Sequence, residues 1–216
     1  RLLGVSASTA MVPDRAGRLP LHSALACKKP DVSIIRLLCK TYKDSVSKGD
    51  PTKDENLPLH TALDEGMDER IPLHLLKCYA AAAGEAAKDG RLPLIIAIQR
   101  DATEGVVKTL LECFPMAIDK LIDAETCRLP LHYALEQRAS HDIVQTLIDT
   151  CPNACEERDI NGLFPLHYAV KHMASLATIE SLMIFNAQAV LTTMNDGTLD
   201  EELPIHTALL NGAPDD

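Results

Sequence analysis

Apolar residues recur along this chain at helical spacing, in short paired stretches. In residues 130–136, Leu131, Ala134 and Leu135 share one face by the i, i+3, i+4 rule, and Glu136 lies outside it. A second stretch follows about eleven residues after the centre of each first one. Residues 106–114 align without gaps with 71–79, and 34–42, 143–151 and 178–186 repeat the pattern. Glu104 and Asp142 stand where two of these stretches begin, and a negative charge favours the positive end of a helix there. Pro72 also lies near such a start, where its missing N–H has no intrahelical partner to lose, so the helix need not break. Second helices are therefore predicted near 31–43, 68–80, 104–114, 141–151 and 177–187. The strings Asp14-Arg15-Ala16-Gly17, Lys88-Asp89-Gly90 and Asp159-Ile160-Asn161-Gly162 read as turns between pairs. The predicted unit is helix, short loop, helix, projecting turn.

The first helices carry a repeated marker. Leu19-Pro20-Leu21-His22 returns as Leu57-Pro58-Leu59-His60 and Leu129-Pro130-Leu131-His132. Near copies are Phe164-Pro165-Leu166-His167, Leu203-Pro204-Ile205-His206 and Leu92-Pro93-Leu94-Ile95. Fourth positions are spaced by 38, 35, 37, 35 and 39 residues, with Ala two positions later each time, at 24, 62, 97, 134, 169 and 208. The residue before Pro is pushed toward extended backbone, and Pro suits the first helical turn. First helices are thus predicted to begin near Pro20, Pro58, Pro93, Pro130, Pro165 and Pro204. The fixed Ala allows close approach of the neighbouring repeat.

At these residues the chain resembles the ankyrin repeat, whose signature includes Thr-Pro-Leu-His-x-Ala in a unit of about 33 residues. Asp159-x-x-Gly162-x-Phe164-Pro165-Leu166-His167-x-Ala169 is the best match. The resemblance covers nearly the whole chain. It implies an all-α fold, a helical-hairpin solenoid of about six repeats truncated at both ends, in a single domain over 1–216. Repeats would start near 14, 52, 88, 124, 159 and 197, with 1–5 the tail of an earlier second helix and 211–216 following a first helix that has no second. Two departures are consistent. Leu or Phe replaces the family's Thr at Leu19, Leu57, Leu92, Leu129, Phe164 and Leu203, which removes the hydroxyl that would bond the motif histidine. The glycine usual between the two helices is mostly missing, and the longest turn runs from Asn195 to Glu202.

Composition fits helices. There is no Trp, with three Phe and four Tyr, so Leu, Ala, Ile and Val do the packing. A net charge of −10 argues against a nucleic-acid partner. No apolar run approaches the ~18 residues that cross a bilayer, so no membrane insertion is expected. Seven cysteines, an odd number with no CxxC, suggest a reducing, intracellular compartment. Cys39, Cys78, Cys113 and Cys151 fall in apolar helical patterns, where thiols act as small hydrophobes; a Cys151–Cys155 disulfide is weakly supported. The chain opens at Arg1 without Met or a signal pattern, as a fragment or a processed form would.

The marker histidines do not read as a metal site. Packed helices lie roughly 8–10 Å apart and zinc needs ligands at about 2 Å, so adjacent markers cannot share an ion. Their expected role is to tie helix starts by hydrogen bonds. His167 and His172 diverge on a helix; His74 and Cys78 share a face, but two ligands do not make a site. With no P-loop, GxGxxG, GxSxG, HExxH or EF-hand loop, neither an enzyme nor a cofactor is expected.

Arg18, Arg91 and Arg128 each precede a Leu-Pro marker and would form a row along one edge, interrupted by Asn56, Leu163 and Glu202. They are read either as a solvated edge paired with nearby carboxylates or as a contact line for an acidic segment. Carried over by position, the resemblance places Asp64 and Glu65, Gln99 and Arg100, Glu136 and Gln137, and Lys171 and His172 on the exposed face of the first helices. It implies a protein-interaction module or scaffold that binds a partner protein on the concave hairpin and first-helix face. The alternatives are a fixed structural subunit of a large assembly and a regulatory region of a larger enzyme.

Overall fold

The computed structural model describes residues 7–122 and 126–192. The described residues are helical, with a lone bridge between Asp50 and Asn56 and no strand. They divide into two compact units, residues 1–115 and 116–216.

The first unit holds α1 (Ala7–Ala10) and three helix pairs: α2 (Pro20–Leu25) with α3 (Val32–Thr41), α4 (Pro58–Asp64) with α5 (Arg70–Cys78), and α6 (Pro93–Gln99) with α7 (Glu104–Cys113). Within it, first helices pack on first helices and second on second. The second unit holds α8 (Pro130–Glu136) with α9 (His141–Thr150) and α10 (Pro165–Lys171) with α11 (Leu176–Phe185), packed by the same rule. The marker around Pro204, the turn at 195–202 and residues 1–5 lie outside the described residues, as does position 124.

Each described first helix begins at its proline. The preceding Leu or Phe is extended, with φ between −64 and −83° and ψ between 154 and 163°. Proline cannot donate to an earlier carbonyl, and its fixed φ already matches the helix, so each start is set by one residue. Pro72 sits at the third position of α5, among the N–H groups that have no intrahelical acceptor, and the helix runs on through it.

The exits from α4, α6, α8 and α10 each use a left-handed residue. The fixed alanines Ala62, Ala97, Ala134 and Ala169 are fully buried, and their carbonyls accept from the N–H groups of Met67, Ala102, Ala139 and Ala174 at 2.8–3.1 Å. This Schellman-type closure needs a positive φ at the residue before the donor. Gly66 supplies it once (φ 58°), whereas Asp101 (48°), Arg138 (56°) and Met173 (56°) supply it elsewhere. The small side chain at the alanine lets neighbouring helices approach, and the flanking leucines fill the core. Leu59, Leu63, Leu94, Leu131 and Leu135 are almost wholly buried, each contributing about 1.5–3 kcal/mol of transfer free energy.

The projecting turns close on themselves. Asp14, Ala87 and Asp159 donate their N–H to the carbonyls of Arg18, Arg91 and Leu163 at 2.9–3.0 Å, with Gly17, Gly90 and Gly162 at positive φ inside each turn. Asp14 and Asp159 also accept backbone N–H groups on their side chains, at 2.8–3.0 Å.

Candidate functional site

The rings of His22, His60 and His167 each span a repeat. The Leu19, Leu57 and Phe164 N–H groups donate to Nδ1 of His22, His60 and His167 at 3.2, 3.1 and 2.8 Å. Nδ1 is therefore the acceptor and Nε2 carries the proton. Nε2 donates to the carbonyls of Lys48, Glu85 and Thr192 at 2.9, 2.8 and 3.0 Å, in the turn that follows the second helix. The backbone N–H thus takes the place of the missing threonine hydroxyl. His132 departs from the pattern in degree: the Leu129 N–H reaches its Nδ1 at 3.2 Å, but the Glu157 main chain, the counterpart of Glu85 and Thr192, approaches its buried Nε2 without reaching good hydrogen-bond geometry. Burial holds His132 down at about 4 and also lowers His60 and His167. At the third marker Ile95 fills the same buried place without polar atoms.

The exposed pairs fall at one structural register. Asp64, Gln99, Glu136 and Lys171 are the last residues of α4, α6, α8 and α10, and Glu65, Arg100, Gln137 and His172 are the caps that follow. Glu65, Gln99, Arg100, Gln137 and Lys171 are exposed, while Asp64, Glu136 and His172 are half-buried. Arg100, Lys171 and His172 complement the negative helix end. Asp64 and Glu65 oppose it, and are offset by Arg100 at 3.0 Å and Lys53 at 2.7 Å. His172 stacks on the Tyr168 ring, with centroids 6.2 Å apart.

The arginines before the markers are all engaged. Arg18 pairs with Asp14 at 2.8 Å. Arg91 pairs with Asp89 at 2.7 Å, bonds Gln99 and lies 3.8 Å from Asp64. Arg128 pairs with Glu136 at 2.6 Å and bonds the Thr126 hydroxyl at 3.0 Å. Backbone and guanidinium donors from Arg18 and Arg91 hold the Asp14 and Asp89 carboxyls below their ordinary value. Arg18 thus braces its own turn, Arg91 ties its turn to the ends of α6 and α4, and Arg128 ties its turn to the end of α8.

All seven cysteines are free thiols, including Cys151 and Cys155. Cys78, expected in an apolar pattern, is the exposed last residue of α5. The His74–Cys78 pair gains a third member that the sequence reading missed, Cys39 of α3. In the gapless alignment of second helices, Cys39 is level with Leu76, midway between positions 74 and 78. The signal was present, but only once α3 is known to lie against α5.

The stack of helix pairs is similar to a solved structure, the ankyrin repeat domain of Bcl-3, described as a unique member of the IkappaB protein family. The match has a TM-score of 0.65 at 19% identity, over 91% of this chain and 82% of that one. This chain has the ankyrin-repeat fold. No protein-family model and no curated protein matches it by sequence. Relative to the ankyrin signature, the threonine hydroxyl is replaced by backbone N–H donors. Among the described residues, no helix is long and apolar enough to cross a membrane.

Proposed function

We propose that this chain is a protein-recognition module that holds a partner protein against its hairpin turns and first-helix ends. The observation that carries the reading is a contrast at adjacent positions of one helix. The Pro-Leu-x-x-Ala framework is buried and nearly unchanged between repeats, whereas the pair that ends each helix changes from Asp64-Glu65 to Gln99-Arg100, Glu136-Gln137 and Lys171-His172. Packing demands the first set and leaves the second free to match a partner. The mixed charge of these pairs suits a folded protein or peptide better than a uniformly anionic polymer. Cross-linking mass spectrometry in native extract tests the reading: cross-links from Lys53, Lys88 and Lys171 to one recurrent partner are expected.

A further inference from the structure

Cys39 of α3 and His74 and Cys78 of α5 bring two thiols and an imidazole to one point of the first unit. Their ligand atoms all lie within 4.8 Å of one another. We propose that these three residues bind one thiophilic metal ion of the zinc type between the two helices, with water as a fourth ligand.

The spacing fits that chemistry. Sulfur at about 2.3 Å and nitrogen at about 2.0 Å from a tetrahedral ion lie about 3.5 Å apart, and two such sulfurs about 3.8 Å. Cys78 Sγ and His74 Nε2 are 3.5 Å apart. They stand one helical turn apart on α5, so their side chains project together. Cys39 approaches from α3 and is 2% exposed. Buried Ile35 and Leu38 of α3 and Ile71 and Leu75 of α5 anchor the two packed helices that carry the three side chains. Two thiolates and a neutral imidazole would make a neutral centre with a divalent ion, and binding would release the two thiol protons to solvent. Arg36, Arg70 and Lys77 line the surface depression beside His74. Burial and the neighbouring Cys78 push the Cys39 thiol up to about 12 in the absence of metal. The exposed side, toward Cys78, leaves room for the fourth ligand.

The test is anaerobic titration of the reduced, chelator-treated chain with Co2+, followed by Zn2+. The expected result is saturation at one ion per chain, with thiolate-to-cobalt charge-transfer absorption and tetrahedral d–d bands that Zn2+ abolishes. Cys39→Ser and Cys78→Ser should each weaken binding on the order of 100-fold, since even outer-shell changes cost ~10–100-fold. Cys113→Ser and Cys155→Ser should leave it unchanged. Cys78 is exposed, so its variant keeps the test sound should Cys39→Ser fail to fold. Absence of the charge-transfer band at one equivalent would overturn the proposal. So would uptake that survives both ligand substitutions.

Discussion

His60 donates from Nε2 to the Glu85 carbonyl at 2.8 Å, while its Nδ1 accepts the Leu57 N–H at 3.1 Å. One ring thereby fixes the start of α4 to the turn that follows α5. His22 and His167 make the same pair of bonds, so the device recurs in both units. His132 makes the first, and the Glu157 main chain meets its Nε2 only in poor geometry.

That difference predicts unequal costs. His167→Ala should destabilise by about 1–2 kcal/mol, because the Phe164 N–H and the Thr192 carbonyl both lose their partner. His132→Ile should cost less than about 1 kcal/mol, since it removes a buried nitrogen poorly aligned with the Glu157 main chain and copies the apolar solution at Ile95. Urea unfolding of both variants measures the difference. Equal losses would show that His132 is held by a bond like the others.

Acid should weaken the fold through the same rings. His60, His132 and His167 are neutral and buried, with folded values below their ordinary 6.5. The unfolded chain therefore binds more protons as pH falls through 6.5. Stability is fully present above that value and is lost progressively toward about 4, the value for His132. Denaturant melts at pH 7.5 and pH 5 should show lower stability at pH 5, and His132→Ile should flatten the slope. A stability that rose on acidification would contradict the neutral tautomers.

The left-handed exits are a reservoir of strain. A left-handed L-residue costs roughly 1–2 kcal/mol, and glycine gives back ~0.5–1 through the entropy of the unfolded chain. Met173→Gly and Arg138→Gly should each stabilise by up to about 1 kcal/mol. Gly66→Ala should destabilise by about 1 kcal/mol, because its φ is 58° although no neighbour crowds the site. Thermal unfolding of the three variants checks both signs together.

How much of this was legible depended on how local its cause is. The starts at Pro20, Pro58, Pro93, Pro130 and Pro165 follow from one residue each, as does the burial of Ala62 and Ala134. The Asp14–Arg18 and Asp89–Arg91 pairs are also adjacent in sequence. Arg128–Glu136 forms only when the turn folds back over its helix. The acceptors of the marker histidines are main-chain groups 25 or 26 residues away, which no side-chain pattern announces. Cys39 meets His74 through the packing of α3 on α5, a register that side-chain chemistry does not write.

The central claim is that the exposed ends of the first helices carry partner recognition. Glu136 is unsuited to its test, because Arg128 depends on it: the side chains are only 21% and 30% exposed, and removal leaves a half-buried cation. The variant to make combines Glu65→Gln, Arg100→Gln, Gln137→Ala and Lys171→Gln, all exposed. Its control combines Lys40→Gln, Glu112→Gln and Asp149→Asn on the second helices, also exposed. Surface changes of this kind are usually worth about ±0.5 kcal/mol each, so both should fold with little change in Tm. The measurement is recovery of the cross-linked partner from native extract with each protein. The first-helix variant should lose the partner and the control should keep it. Retention by the first-helix variant with loss in the control would place recognition on the second helices and contradict the claim.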